Sequence, residues 1–509
     1  MREKTAKHSH KIGKHAMVLV ASGMICKALG ALFRIPLTSL IGIEKIGIFQ
    51  LIMSLYAFAL VLTSGGTTTA LSKLISTSRA KGDKNAINIY LRRALLTTLL
   101  LSAIVGLFFL TFSNVISNIQ KIPPNPSYCL FIVLLPLGAV SAVLRGYFQG
   151  YENMYPTSIS QVLEQTIKFA LGLLFAYLFG SNAVFGAFLG ITLSEAVCAL
   201  YLFVIYSKNK EDLKPQCNFS EKYKEYDKTN LLLLGSVVIL PLANALDSIF
   251  IIPRLVQAGI SSTTATKLFG LQSGIVGTLL NLPLVLSISI ATALLPNLSY
   301  LVAKGTKTKF LIEKGLKILT LAILPSVFGL VAVSSPLFSL LYKNLPTELY
   351  NLGQNLMLYS AFSTIFMATT QYLLMVLQAF GKFKFCLIIT LIGGMAKVVI
   401  TFVFSAFPNI NIFAIVLGNI IMSSTICLLC LTKLKSMLDF SFSVSEVFTL
   451  AFSTTAMYFL VKTFVDSDYF SPLPTLLCAT LLGLISYSVF SIPFFLKIFQ
   501  KKNFQEKKI

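Results

Sequence analysis

The sequence predicts an all-α integral membrane protein of about fourteen transmembrane helices. Three observations predict it. Only 12% of the residues are charged while 55% are hydrophobic, against roughly 25% charged in soluble domains. Apolar runs recur at near-regular intervals along the whole chain, and mean hydropathy is +0.80. Each run is roughly 18–28 residues long, and about 20 residues at 1.5 Å rise cross a hydrocarbon core of about 30 Å.

Taken in order, the runs fall at 16–40, 47–76, 90–112, 127–149, 158–179, 183–206 and 231–253, then 267–302, 312–341, 354–380, 385–407, 411–432, 445–464 and 473–497. The period-2 alternation of membrane barrel strands is absent, so helices are what can satisfy the backbone in lipid. The second and eighth runs are longer than one crossing needs, which predicts a bend or break in each. In the second, Gly65-Gly66-Thr67-Thr68-Thr69 is poor helix-forming sequence. A basic stretch precedes the first run, but Lys27 interrupts that run and no small-residue cleavage site follows, so a retained helix is expected.

The net charge of +23 suggests nucleic acid at first sight. Its distribution points instead to topology. About 31 of the 42 Lys and Arg fall in the tails and the even-numbered loops, while Lys45, Lys121, Arg254, Lys267, Lys343 and Lys462 make up the odd-numbered loops. Loops rich in Lys/Arg stay in the cytoplasm, so both termini are expected there and no nucleic-acid partner is expected. The eight cysteines are scattered, and Cys427 and Cys430 form a CxxC with no second pair or nearby histidine. All three histidines, His8, His10 and His15, sit in the N-terminal tail. Neither a metal nor a cofactor is expected.

An internal repeat organises the spans. Phe33-Arg34-Ile35-Pro36 matches Phe250-Ile251-Ile252-Pro253, Thr69-Ala70-Leu71 matches Thr292-Ala293-Leu294, and Gln149 and Lys168 match Gln378 and Lys397 at one shared offset. The repeat predicts an N-lobe over 1–206, a cytoplasmic linker over 207–230, a C-lobe over 231–434, and two further helices with a basic tail over 435–509. Six helices per unit is an even number, so both units enter from the same side, as in transporters with parallel repeats.

Ionisable residues inside the spans include Lys27, Arg34, Lys73, Lys168, Lys397, Glu164, Glu195 and Asp247. A central charge costs roughly 2.5–3.5 kcal/mol on insertion scales, so these side chains are expected to face a bundle or an aqueous cavity. Gly23, Lys27, Gly30 and Arg34 share one helical face, as do Gln161, Glu164 and Lys168, with Glu164 and Lys168 spaced to pair. Asn244 and Asp247 are three residues apart, with Arg254 seven beyond on the same stripe; Glu195 has no partner evident from spacing. The excess of bases suits an anionic head group, above all a phosphate or pyrophosphate. Lys27, Arg34, Arg254, Lys168 and Lys397 are the expected binding residues, with Glu164, Asp247 and Asn244 balancing charge or coupling an ion.

Five stretches carry a resemblance: RIPLTSLIG…GIFQL at 34–51, LTSGGTTTALSKLIS…AKGD at 62–83, LRGYFQGYENMYPTSISQVLEQ at 144–165, PLANALDSIFIIPRLVQAGI at 241–260 and ATALLPNLSYLVAKG at 291–305. With them the chain resembles the multidrug/oligosaccharidyl-lipid/polysaccharide exporter superfamily, in the stage V sporulation protein B branch, itself similar to MurJ-type lipid II flippases. The resemblance implies two six-helix lobes around a central cavity, in a bacterial cytoplasmic membrane. It implies as cargo a polyprenyl-pyrophosphate-linked sugar for peptidoglycan, spore cortex or another envelope polymer, moved by alternating access. Membrane lipids, and Na⁺, H⁺ or the membrane potential, are the other implied partners. MurJ-type proteins typically carry an Arg-Asp pair in the first span; here Ile35-Pro36 follows Arg34.

Two rival readings use other chemistry. A cation-coupled multidrug exporter shares the fold but more often needs acidic walls. A membrane glycosyltransferase or polymerase usually places carboxylates or histidines in a sizeable outer loop. The outer loops here are short and hold few acids (Glu44, Glu348, Asp466 and Asp468), so no enzyme is expected.

Overall fold

The structure is a computed structural model. It describes residues 2–209, 219–304, 306, 308–343, 345–438, 444–467 and 469–505, and side chains mainly from Ala21 to Ile492. The basic N-terminal side chains, the three histidines, residues 210–218, Asp468 and the basic C-terminal tail lie outside what is described.

Helices dominate, and no strand occurs among the described residues. In chain order they are α1 (Arg2–Ser64), α2 (Thr67–Ala80), α3 (Lys84–Thr111), α4 (Ser113–Ile119), α5 (Phe131–Gly150), α6 (Tyr155–Leu178), α7 (Ala183–Asn209), α8 (Phe219–Gln257) and α9 (Ser262–Phe269). A π-helical turn, Gly270–Val276, leads into α10 (Gly277–Ala303). Then follow α11 (Lys309–Ala332), α12 (Ser334–Leu341), α13 (Thr347–Ala379), α14 (Phe383–Phe404), α15 (Phe413–Leu438), α16 (Val444–Asp466) and α17 (Pro472–Gln505).

Among the described residues, twelve helical stretches are long and apolar enough to cross a membrane. The first, Ala21–Ala80, is 60 residues long, enough for two crossings. It kinks at Gly42, whose φ of 81° an L side chain rarely adopts, and breaks at Gly65-Gly66 where the glycine pair suggests it. α6 is a thirteenth helix, 24 residues or about 36 Å long, made less apolar by Gln161, Glu164, Gln165 and Lys168. Together these cover all fourteen apolar runs. The outer faces agree: Leu100 and Ile104 on α3 are each 63% exposed, and Leu481, Leu484 and Ile485 on α17 at least 60%. Apolar surface on that scale is stable against lipid rather than water.

Packing divides the chain into two units, one of Met1–Gly270 with Thr401–Ile412 and one of Leu271–Ile400 with Phe413–Ile509. In the first, α8 packs on α1, α2 and α3. The segment expected to be a linker is helical from Phe219 onward. Arg93 donates two hydrogen bonds to Asp227, at 2.6 and 3.1 Å, and its guanidinium lies over the Tyr223 ring. Lys222 pairs with Asp83 at 3.5 Å, Tyr90 donates to Glu225, and Tyr226 is fully buried. In the second unit, α13 packs on α10, α11 and α15, and α16 on α11 and α17.

The turns after α5 and α13 are built alike, at the positions the repeat pairs. Glu152 (φ 60°) donates to the Gln149 carbonyl, and Gly381 (φ 72°) to the Gln378 carbonyl, both at 2.9 Å. The next amides, Asn153 and Lys382, both reach back five residues, to Phe148 and Leu377, each at 3.0 Å.

Candidate functional site

The polar interior of the first unit is assembled by α1, α5, α6 and α7. α6 and α7 touch backbone to backbone at Gly172 and Gly190, small residues being the means of close helix approach in lipid. α1 lies against α6 at Gly30, where an added Cβ would stand 3.6 Å from the Gln165 Oε1. Phe33, 2% exposed, seats its ring on Gly172 and so fixes the rotation of α1.

Arg145 on α5 is the hub. Its Nη2 donates to Glu164 Oε2 at 2.8 Å and reaches Cys198 Sγ at 3.0 Å, while Nε donates to Ser160 Oγ at 3.2 Å. Gln165 Nε2 donates to the other Glu164 oxygen at 3.1 Å. The expected Glu164–Lys168 pair is therefore not the one that forms: the carboxylate turns toward α5, because a guanidinium offers it a fixed, charge-assisted donor there. Spacing along one helix cannot reveal a partner on another. Arg145 was legible all the same, since it lies inside the 127–149 apolar run, where a base facing lipid would be costly.

Glu195, 7% exposed, joins this cluster from α7. Carboxylate oxygens of Glu164 and Glu195 and the Cys198 sulfur lie within 4.8 Å of one another, close enough to share a cation. The Arg145 guanidinium already sits on Glu164 and Cys198 and supplies that positive charge. The guanidinium thus stands where a shared cation would sit.

The bases of α1 and α6 are placed differently. Lys168 extends over the Phe33 ring, its Nζ 5.6 Å from the centroid, a cation–π contact. Among the described residues no acid forms an ion pair with Lys168, with Arg34 or with Lys27. Lys27 is exposed two turns before Arg34 on the same helix, and next to Gly23 there is open space.

The other expected residues fall elsewhere. Arg254 donates to the Phe402 carbonyl at 2.9 Å and to Gln257 Oε1 at 2.6 Å, with its guanidinium 4.3 Å over the Phe402 ring, so one donor is engaged by the 401–412 segment and another by its own helix. Asp247 is buried on α8 and Asn244 exposed. Lys397 is buried, 2% exposed, on α14 of the second unit. That unit also holds an apolar cavity of about 520 Å³, lined among others by Leu324, Phe328, Phe362, Ile365, Leu450 and Tyr458. Its wall includes Glu446, paired with Lys317 at 2.5 Å.

These features define a class: a multi-pass, all-helical membrane protein with ionisable side chains clustered inside the bundle. The chain belongs to the polysaccharide biosynthesis protein family, whose model matches residues 12–302. It lies in the exporter superfamily named above, in the branch of stage V sporulation protein B and MurJ. It is 28% identical to stage V sporulation protein B of Bacillus subtilis (strain 168) over 461 residues, 86% of each chain. It is 24% identical to lipid II flippase MurJ of the same organism over 426 residues, 77% of each. Its fold is similar to that of a lipid II flippase MurJ structure in an inward closed conformation, with a TM-score of 0.72, 14% identity, and coverage of 95% of this chain and 99% of that one.

Proposed function

We propose that the protein is a flippase that moves a polyprenyl-pyrophosphate-linked sugar across the cytoplasmic membrane by alternating access, with both termini in the cytoplasm. One observation carries this reading: Lys168 lies over the ring of Phe33, the residue before Arg34 on α1, and the acid nearest in sequence to Lys168 is already taken by Arg145. A pyrophosphate supplies the missing counter-charge, and Arg34 can hold it through two parallel hydrogen bonds. Lys27 extends the same face by two turns. The apolar cavity beside α16 suits a polyprenyl segment, and the relatives' names include a lipid II flippase.

In this mechanism the head group stays on protein charges while the tail stays in apolar surroundings, so neither crosses the wrong solvent. The membrane potential contributes about 2.3 kcal/mol for each elementary charge moved through 100 mV. Transport of this kind makes and breaks no covalent bond in the cargo, and the protein acts as a carrier rather than a catalyst.

The test is Arg34→Ala, scored by the lipid-linked sugar that reaches the outer leaflet. The expected outcome is a large loss of translocation at normal expression. Unchanged translocation would reject the site. A cation-coupled drug exporter, the rival reading, requires instead a substrate-stimulated Na⁺ or H⁺ flux that survives Arg34→Ala.

A further inference from the structure

Glu164 and Lys168 are one helical turn apart, in the order, acid before base, that pairs best on a helix. They do not pair. Both carboxylate oxygens of Glu164 are occupied, Oε2 by Arg145 and Oε1 by Gln165. Arg145 is itself anchored, through Nε to Ser160 on α6 and through Nη2 to Cys198 on α7, so its guanidinium cannot follow the carboxylate toward α1. Lys168 is left over the Phe33 ring. Breaking a buried pair by removing one partner strands the other charge, and the nearest base on the same helix for a stranded Glu164 is Lys168.

We propose that Arg145 is a positioning residue for anion binding: it holds Glu164 away from Lys168 and so keeps the Lys168 ammonium available to the cargo's phosphates. The proposal rests on the anion-site reading above. It makes Glu164 a latent inhibitor of the site, which Arg145 restrains.

The experiment measures binding of farnesyl pyrophosphate, a short polyprenyl pyrophosphate, to the purified full-length chain in nanodiscs. Arg145→Met is expected to weaken binding by about tenfold or more, because the freed carboxylate neutralises Lys168. Adding Glu164→Gln to Arg145→Met is expected to restore affinity to within about threefold of wild type, and Glu164→Gln alone to leave it unchanged or tighter. A double variant as weak as Arg145→Met overturns the proposal, since Arg145 would then act on the ligand or the fold directly. So does unchanged binding in Arg145→Met. If Arg145→Met does not fold, Arg145→Gln with and without Glu164→Gln takes its place and is read by the same two outcomes. Lys168→Gln and Arg34→Gln separate the two claims: if neither weakens binding, the anion site itself is wrong, whatever Arg145 does.

Discussion

Phe33 shows how much one side chain carries at the residue scale. Its ring fills the notch over Gly172, stands edge-on to Phe49 with centroids 6.4 Å apart, and offers a face to Lys168. Phe33→Ala is expected to lower stability by about 3–5 kcal/mol, the usual result of emptying a buried aromatic site, and a thermal-unfolding scan in detergent checks it. Phe33→Leu keeps most of the volume and loses the ring quadrupole. It is expected to change stability far less, and to release Lys168 from a contact worth about 0.5–2 kcal/mol. Arg34→Ala removes a charge-assisted donor worth roughly 1.5–3 kcal/mol. Affinity for a pyrophosphate lipid should therefore fall by about 10- to 150-fold, measurable by the same nanodisc titration.

Two glycines separate tight packing from open space at the element scale. An added Cβ at Gly270 would lie 2.4 Å from the Ile43 carbonyl oxygen and 2.9 Å from the Gly47 amide nitrogen, both backbone atoms that cannot move aside. Gly270 also opens the π-helical turn, an arrangement that is rare and costs regular hydrogen bonding. Gly270→Ala is expected to reduce folded yield and apparent melting temperature sharply. Gly23, with nothing within 4 Å of the added Cβ, should accept Ala with no loss, since Ala exceeds Gly in helix propensity by about 1 kcal/mol. Equal melting temperatures for the two variants would contradict this packing. The eighth apolar run, where a bend or break is expected, is continuous helix apart from this π turn near its start. The break expected in the second run falls at Gly65-Gly66, the weakest helix-forming point in that stretch.

The consistent feature at the scale of the whole molecule is charge placement. Bases crowd the even-numbered loops and the tails, which predicts that tags fused near Arg2 and beyond Phe504 are both cleaved by protease from the cytoplasmic side and protected in sealed right-side-out cells. Cleavage of either tag from outside intact cells would overturn the proposed topology. α8 begins at Phe219 and packs on α2 and α3, so part of the stretch expected to join two lobes is packed structure of the first unit. Alternation of polar and apolar residues along 219–230 is too brief to mark a buried face, which is revealed by contacts such as Tyr226 with Thr67 at 3.4 Å and Asp227 with Arg93.

Read alone, the sequence shows that the chain crosses a membrane, about how many times, where its second apolar run breaks, and which ionisable side chains must avoid lipid. Those conclusions are local, because a bilayer imposes a length and a polarity on each segment separately. Which charge answers which follows from packing alone. Arg145 stands 19 residues from Glu164 and on another helix, so no periodicity connects them. The choice between Lys168 and Arg145 is made by side-chain direction and by the anchors on Ser160 and Cys198, which exist only once α5, α6 and α7 have packed.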